Sequence, residues 1–140
     1  MKRRDRLLVW AAATDATFEP AALAGETVLV GKCIHCGRKL VVGFDGRARG
    51  RPATLEHLLP RAAGGADRLD NLAVACATCN HHKGVRTDDH WGSDPRARAR
   101  VDAALARRMR RWRDPPQSWA LPRLPRDAFP SKHALLGEHP

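Results

Sequence analysis

Four cysteines in two identical spacings are the clearest chemical feature of this sequence. Cys33 and Cys36 are separated by two residues, and so are Cys76 and Cys79. This spacing lets both sulfur atoms of a pair face one ion, and two pairs supply the four soft ligands of a tetrahedral zinc site. Two disulfides, one redox pair or four core cysteines are the alternatives. We favour structural zinc, with no open coordination position and therefore no catalytic role.

The residues between and just after the two pairs include groups suited to hydrolysis. They comprise Glu56-His57, the dipeptide Gly64-Gly65, Asn71 and Asn80. Phosphodiester hydrolysis needs a base that activates water and positive charge near the phosphate. His57 can be that base because imidazole titrates near neutral pH, although a lone histidine is more often a polar residue of the surface or core. Gly64-Gly65 fits a turn better than a phosphate-binding loop, because no Lys-Ser/Thr follows it.

The order of these residues resembles the HNH endonuclease family, in the version whose ββα-metal finger is braced by four cysteines. The resemblance covers residues 33–84 and rests on the acid before His57, the Gly-Gly loop, Asp-Asn before an apolar strand, and C-x-x-C-N followed by Lys-Gly. It implies that His57 activates water, that Asn71 holds the hairpin and the orientation of His57, and that Glu56 and Asn80 bind a catalytic divalent ion. Asn71 could also serve only to cap a turn. The resemblance further implies products with 5′-phosphate and 3′-hydroxyl ends.

The sequence departs from the common family pattern at both predicted ligands of the catalytic ion. The last letter of the motif is Asn80 instead of histidine, and Glu56 stands where aspartate is commoner. One carboxylate and one amide form a weak site that suits Mg²⁺ or Mn²⁺. His81 or His82 could replace Asn80 if the helix were rotated, but a helical step of about 100° moves each away from the ligand face.

The charge distribution points to a polyanionic partner. The net charge is +10, divided into +5 over residues 1–53, −1 over residues 54–90 and +6 over residues 91–140. Basic flanks around a near-neutral centre suit DNA, although a GC-rich genome also enriches arginine, and a basic helix can instead bind anionic lipid or an acidic protein. The predicted nucleic-acid contacts are Lys83, Arg47, Arg49, Arg51, Arg107, Arg108 and Arg111.

Local patterns predict the elements that must position these residues. The predicted strands are residues 27–30, 40–44, 54–59 and 72–75. The predicted helices are a short one over residues 20–24, one beginning near Cys76, and one capped by Asp94 that ends before Pro115, with Val101, Leu105, Met109 and Trp112 on its apolar face. The apolar run at residues 7–13 reads as a buried strand or the first turns of a helix, and not as a secretion signal.

We therefore expect a small single α+β domain. Its predicted parts are an N-terminal segment (1–30), a nuclease core (31–90), a basic helix (91–114) and a proline-rich arm (115–140). The expected function is a cytoplasmic, metal-dependent DNA endonuclease that does not enter a membrane, since no apolar run is long enough to span one. The alternatives are a zinc-braced nucleic-acid-binding module without cleavage activity, or an RNA-directed or partner-dependent nuclease. The remaining histidines, His35, His90, His133 and His139, are expected at the surface.

Overall fold

A three-stranded and a two-stranded antiparallel sheet, together with three α-helices, build the part of the chain that the computed structural model describes, residues 1–130. The elements in chain order are α1 (Arg3–Ala13), β1 (Glu19–Leu23), β2 (Glu26–Lys32), β3 (Lys39–Gly43), β4 (Ala53–His57), β5 (Leu72–Cys76), α2 (Ala77–Lys83) and α3 (Pro95–Arg110). A 3₁₀ turn at Arg61–Ala63 and a π-helical turn at Gly84–Asp88 lie in the connections. The predicted α+β class is confirmed. His133, His139 and the end of the predicted 115–140 arm lie outside the described residues.

The N-terminal apolar run is helical. In α1, Leu7, Leu8, Ala11 and Ala12 are buried, and their spacing of three and four residues gives the helix one apolar face. This face packs against β4 and β5, so the N-terminal segment covers the hairpin that carries His57. Within residues 1–130, every helix is too short or too polar to cross a membrane.

The predicted short helix over residues 20–24 is wrong, because Glu19–Leu23 form a strand and Ala24 lies in the turn that follows it. β1 pairs with β2, with Glu19 opposite Val30. Ala24 and Gly25 join them with φ angles of 50° and 79°, and two consecutive residues with positive φ form the turn that suits a tight hairpin. Pro20 is tolerated because β1 lies at the edge of its sheet. Gly25 therefore closes a hairpin and does not end a helix.

The other predicted strands are confirmed with small shifts at their ends. β4 and β5 pair antiparallel, with Glu56 opposite Ala73 and His57 opposite Leu72. β5 leads directly into α2, whose first turn is capped by the Cys76 sulfur accepting the Cys79 backbone N–H. α2 packs against both strands, so β4, β5 and α2 form a ββα unit. A two-stranded sheet is marginal by itself, and its stability here depends on the helices that cover it.

α3 begins as predicted but buries a different face. The Asp94 side chain accepts the Arg96 backbone N–H at 2.9 Å, and Pro95 occupies the first position. The fully buried residues are Ala97, Val101, Ala104 and Arg108, whereas Leu105 and Met109 are only half-buried. Val101 is buried as predicted, and Leu105 and Trp112 pack against the core, but the buried face is rotated toward Ala104 and Arg108. The prediction of an exposed Arg108 available to nucleic acid is wrong.

Arg108 connects α1, α3 and the hairpin from inside the protein. Its side chain is fully buried. Its Nε donates to the carbonyl oxygens of Leu69 (3.2 Å) and Leu72 (2.8 Å), while Nη1 donates to the Thr14 carbonyl (3.0 Å) and Nη2 to the Thr14 hydroxyl (2.7 Å). Burial lowers the pKa of Arg108 to about 10, so it stays charged at neutral pH. Asp15 lies nearby, and this buried carboxylate offsets part of the charge.

We predict that Arg108→Met is strongly destabilising. The variant removes hydrogen bonds from a charged group to three buried carbonyl oxygens and a hydroxyl, and their loss costs about 2–4 kcal/mol in total. The matched control is Arg110→Met, because Arg110 lies on the same helix and is exposed; its effect should stay below about 0.5 kcal/mol. Urea unfolding of the two variants measures the difference. Equal effects would contradict the structural role assigned to Arg108.

Candidate functional site

The two cysteine pairs converge on one point. Cys33 and Cys36 follow β2, Cys76 ends β5, and Cys79 lies in the first turn of α2. The four sulfur atoms lie within 4.8 Å of one another, and all four cysteines are free. Backbone N–H groups of His35 and Cys76 donate to the Cys33 sulfur at 3.4 and 3.3 Å. The cluster can hold a metal ion such as zinc, and its donor set of four sulfurs fits that ion.

The environment of Cys36 favours its thiolate. A backbone hydrogen bond from Arg38 lowers the pKa of Cys36 to about 7, and hydrogen bonds with the other three cysteines act in the same direction. The thiolate is the form that binds metal. The loop after β2 thus prepares this sulfur for coordination.

Glu56 and His57 point to opposite faces of β4, because successive side chains of a strand alternate. Glu56 is 1% exposed. Both of its carboxylate oxygens lie close to His35 Nε2, at 2.9 and 2.7 Å. The expectation that His35 is a surface residue is therefore wrong: its side chain is 23% exposed and faces Glu56. Sequence reasoning missed this pair because the 21 residues that separate the two positions conceal their proximity.

His57 faces the other side of β4 and contacts Asp67. His57 Nε2 lies 2.6 Å from Asp67 Oδ1. Arg61 contacts both groups, with Nε 3.3 Å from His57 Nε2 and Nη2 at 3.1 and 3.2 Å from the Asp67 oxygens. The shorter contact indicates that Nε2–H donates to Asp67, which leaves Nδ1 with a free lone pair. Asp67 was not among the sequence-derived candidates, although its position just after Gly64-Gly65 was a usable signal.

The positive groups beside Asp67 favour its ionised form. The hydrogen bond from His57 and then those from Arg61 lower the pKa of Asp67 to about 2. Arg3 of α1 also reaches this carboxylate, with Nη2 3.3 Å from Oδ2. Asp67 thus stays negative at neutral pH and can hold the His57 ring in one orientation.

Asn71 holds the loop that follows His57. Its side-chain oxygen accepts the Leu59 backbone N–H at 2.8 Å, and its amide nitrogen donates to the carbonyls of Leu59 and Ala66, each at 3.1 Å. Gly65 passes so close to this loop that a Cβ atom there would lie 1.8 Å from the Leu59 carbonyl oxygen. The geometry agrees with the predicted bracing by Asn71. It also explains why position 65 is glycine, since a larger residue would clash with the Leu59 carbonyl. The effect of Asn71 on catalysis stays a prediction.

Asn80 lies on the same side of β4 as Glu56. Its amide nitrogen donates to Thr54 Oγ1 at 3.0 Å, and Thr54 shares a face of β4 with Glu56 because the two are two residues apart. His81 and His82 are exposed, which favours Asn80 as the helix residue nearest Glu56. Asn80, through Thr54, and the Glu56–His35 pair therefore lie on one side of β4, whereas His57 and Asp67 lie on the other.

The predicted basic contacts have mixed surroundings. Lys83 is largely enclosed, with Nζ donating to the His57 carbonyl at 2.9 Å and to Asp88 Oδ1 at 2.7 Å. Arg49 pairs with Asp45 and Glu26. Arg107 donates to the Ile34 carbonyl, and Arg111 donates to the carbonyls of Lys32 and Cys33. Arg47 and Arg51 are exposed. Arg107 and Arg108 of α3 and Arg111 just after it therefore all make hydrogen bonds to other parts of the fold.

Arginines from outside the predicted set surround His57. A cavity of about 280 Å³ is lined by Arg3, Arg4, Leu7, Leu55, His57, Arg61 and Asp67. Arg3 also lines a neighbouring cavity with Arg6, Arg123 and Arg126. The tertiary contact of α1 with β4 creates this basic surface, which no local sequence pattern indicates.

The loop after β2 and the ββα unit share the four-cysteine cluster, and the His57–Asp67 pair lies beside arginines. Residues 33–86 match the family model of the HNH endonuclease, so this segment is an HNH domain, as the resemblance predicted. The match supports a nuclease-type function. No curated protein and no solved structure matches the chain significantly.

We predict that loss of one cluster cysteine releases metal and destabilises the fold. Cys36→Ser should abolish zinc retention and lower the melting temperature by about 10 °C or more, because metal binding at such sites contributes directly to folding. Thr78→Ala is the matched control, since Thr78 is exposed between two cluster cysteines. Metal analysis and thermal melting test both variants. A wild-type protein that purifies without metal and melts unchanged in a chelator would contradict the assignment.

The ion pairs of Asp67 predict a stability that depends on pH. The folded-state pKa of about 2 lies below the ordinary value of 3.8, so the carboxylate stabilises the fold above pH 4, and this contribution is lost as pH falls through 2. Asp67→Asn should cost about 1 kcal/mol at pH 7, and the difference from wild type should fall by about half at pH 3. Asp102→Asn, at an exposed position of α3, serves as the control in chemical unfolding at both pH values. If the difference in unfolding free energy between wild type and Asp67→Asn stays constant from pH 7 to pH 3, the ionised Asp67 is not the source of the pH dependence.

Proposed function

We propose that this protein is a metal-dependent DNA endonuclease that hydrolyses phosphodiester bonds with His57 as the general base. The observation that carries the proposal is the His57–Asp67 pair under an arginine-lined cavity, inside a segment that matches a nuclease family. A base oriented by a carboxylate, next to cations that can hold a phosphate, meets the requirements of the reaction.

His57 is suited to take a proton from water. With Nε2–H donated to Asp67, the Nδ1 lone pair is available to a water molecule at the cavity. As the water oxygen forms its bond to phosphorus, its proton moves to Nδ1, and the negative Asp67 stabilises the resulting imidazolium. The bond from phosphorus to the 3′ oxygen then breaks, that oxygen takes a proton from solvent water, and His57 returns its proton to solvent.

Arg3, Arg4 and Arg61 are the groups that would bind the phosphate oxygens next to His57. They line the same cavity, and the guanidinium fork matches phosphate geometry. Arg6, Arg123 and Arg126 extend the positive surface along the neighbouring cavity. Arg47 and Arg51 are proposed to contact DNA from a separate surface. Lys83 instead donates a hydrogen bond to the backbone carbonyl of His57.

Two metal sites belong to this proposal. The four cysteines would hold a structural zinc ion, and Glu56 with Asn80 would hold a divalent ion, Mg²⁺ or Mn²⁺, next to the ββα unit. A carboxylate and an amide oxygen fit such an ion. An ion bound there would supply positive charge on the α2 side of β4, the face opposite to His57. Four free thiols suit a reducing compartment, and we therefore propose the cytoplasm as the location.

One observation favours a second candidate function, a nucleic-acid-binding module without cleavage activity. Glu56 and His57 face opposite sides of β4, and both Glu56 oxygens are already engaged by His35. A nuclease that completes its site only with a partner, or that acts on RNA, is compatible with the same observation. Binding assays with duplex DNA, single-stranded DNA and RNA, run beside cleavage assays, separate these cases.

We predict metal-dependent nicking of supercoiled plasmid that requires His57. His57→Ala should reduce the rate by about 10²–10⁴-fold, as expected for loss of a general base, while DNA binding persists. The variant should stay folded because Asp67 keeps its contacts with Arg61.

Three controls accompany the plasmid assay. EDTA should stop the reaction, and His90→Ala, at an exposed position, should leave the rate unchanged. Thermal melting checks that His57→Ala is folded. A wild-type protein that holds zinc and binds DNA but does not cut would favour the binding module, and cutting by His57→Ala at the wild-type rate would exclude His57 as the base.

A further inference from the structure

Six arginines line two neighbouring cavities beside His57, and one acid lies among them. The two cavities share Arg3 as a lining residue. The acid is Asp67, which is already paired with His57, Arg61 and Arg3. Positive groups that are crowded in this way repel one another, and an anion bound among them would relieve the repulsion. The arginines are Arg3, Arg4, Arg6, Arg61, Arg123 and Arg126.

Two of these arginines come from the chain that follows α3, in a stretch that we call the arm segment (residues 119–130). Arg123 and Arg126 are exposed. Within residues 1–130, neither side chain forms an ion pair or a hydrogen bond, and the same holds for Arg4 and Arg6 of α1. Four guanidinium groups on two elements therefore keep all their donors for a ligand.

The arm segment is held against the fold on both sides of its two arginines. The Trp10 indole N–H donates to the Pro122 carbonyl at 2.7 Å, and the Leu69 backbone N–H donates to the Ala128 carbonyl at 2.7 Å. Between these bonds, Leu124 packs against the buried cluster of Leu7, Leu69, Leu72 and Ala128. This packing accounts for the path of the segment, but it does not explain why the exposed positions are arginines. Because the backbone is already ordered, these arginines lose little conformational entropy when they bind an anion.

The composition of the two linings indicates which polyanion fits. The guanidinium fork matches phosphate oxygens. In the described part of the chain, neither lining includes phenylalanine, tyrosine or tryptophan, the side chains on which single-stranded nucleic acids stack their bases. Duplex DNA keeps its bases stacked inside and carries about one negative charge per 1.7 Å of its axis. Unpaired arginines without aromatic neighbours therefore fit the phosphate backbone of a duplex.

We propose that the arm segment and α1 together bind the phosphates of duplex DNA that lie next to the phosphate being cut. This inference rests on the proposed function, which places the reacting phosphate at His57. Both elements lie outside the matched residues 33–86, so the contacts that hold the DNA come from parts of the chain that the family match does not cover.

The position of the arm arginines also defines their contribution. Arg123 and Arg126 line the cavity next to the one that contains His57. They would therefore bind substrate and transition state equally, which strengthens DNA binding and leaves the rate of hydrolysis of bound DNA unchanged. Contacts to phosphates carry no direct sequence information, so this surface would bind duplexes of different sequence with similar affinity.

Fluorescence anisotropy of a short labelled duplex tests the surface in the zinc-loaded full chain. Without added Mg²⁺ or Mn²⁺ the DNA stays intact, and titrations at several KCl concentrations give the dependence of affinity on salt. Arg123→Gln/Arg126→Gln should weaken binding by about tenfold or more and make the slope of log affinity against log salt less steep by about 2, roughly one per lost phosphate contact. The control Arg98→Gln/Arg110→Gln removes the same charge from exposed positions of α3. It should keep the wild-type slope and stay within about threefold of the wild-type affinity, because salt screens distant charges.

Two further measurements separate binding from chemistry and from folding. In plasmid nicking, Arg123→Gln/Arg126→Gln should raise KM about tenfold and leave kcat nearly unchanged. Arg123→Lys/Arg126→Lys keeps both charges and should restore the salt slope. Thermal melting checks each variant, and if the double glutamine variant unfolds, each single glutamine variant should still lower the slope by about 1.

Several outcomes would overturn the inference. One is an unchanged salt slope in folded Arg123→Gln/Arg126→Gln, and another is an equal loss of affinity in the α3 control. Tighter binding of single-stranded DNA or of duplex RNA than of duplex DNA would also exclude this partner. Nicking with unchanged KM in the arm variant would refute the role of the arm alone. Binding that depends on the arm arginines without any nicking by wild type would refute the nuclease proposal and leave the binding surface in place.

Discussion

The convergence of four cysteine sulfurs within 4.8 Å joins the loop after β2 to the point where β5 passes into α2. The cluster connects the loop after β2, the end of β5 and the first turn of α2. A two-stranded sheet with a seven-residue helix is too small to fold by itself, so the hairpin needs this connection and the cover provided by α1. The same cluster holds His35 against Glu56. The arrangement of the site therefore depends on the cysteine cluster, to which we assign no catalytic role.

The alternation of side chains along β4 divides the site into two halves. Glu56 faces α2 and His35, while His57 faces α1 and Asp67. A base and a metal ligand at neighbouring positions can therefore have separate surroundings, one largely buried and one lined by arginines. Lys83 connects the halves, since it extends from the end of α2 to the His57 carbonyl. This division gives the two neighbouring groups different partners within one strand.

The arginines show how little a net charge says about individual residues. The α3 arginines looked like one basic surface, yet Arg108 is buried among backbone carbonyls, and Arg107 and Arg111 donate to carbonyls near the cysteine loop. The hydrogen bonds of these three arginines connect α3 and its C-terminal end to the rest of the fold. The positive surface at His57 comes instead from α1 and Arg61. An excess of arginine thus serves both stability and the expected interaction with a polyanion.

The sequence by itself determined the features that depend on local spacing. The two cysteine pairs, the order of residues from Glu56 to Asn80, the α3 cap at Asp94 and most strands follow from neighbouring residues, whose conformational preferences act over a few positions. Tertiary structure alone decided which distant groups meet: His35 with Glu56, Asp67 with His57, and Arg3 with Asp67. It also decided the rotation of α3 and turned the segment at Pro20 into an edge strand, because packing and strand pairing outweigh weak local preferences. Local patterns report which chemistry is available, and long-range contacts decide which groups carry it out together.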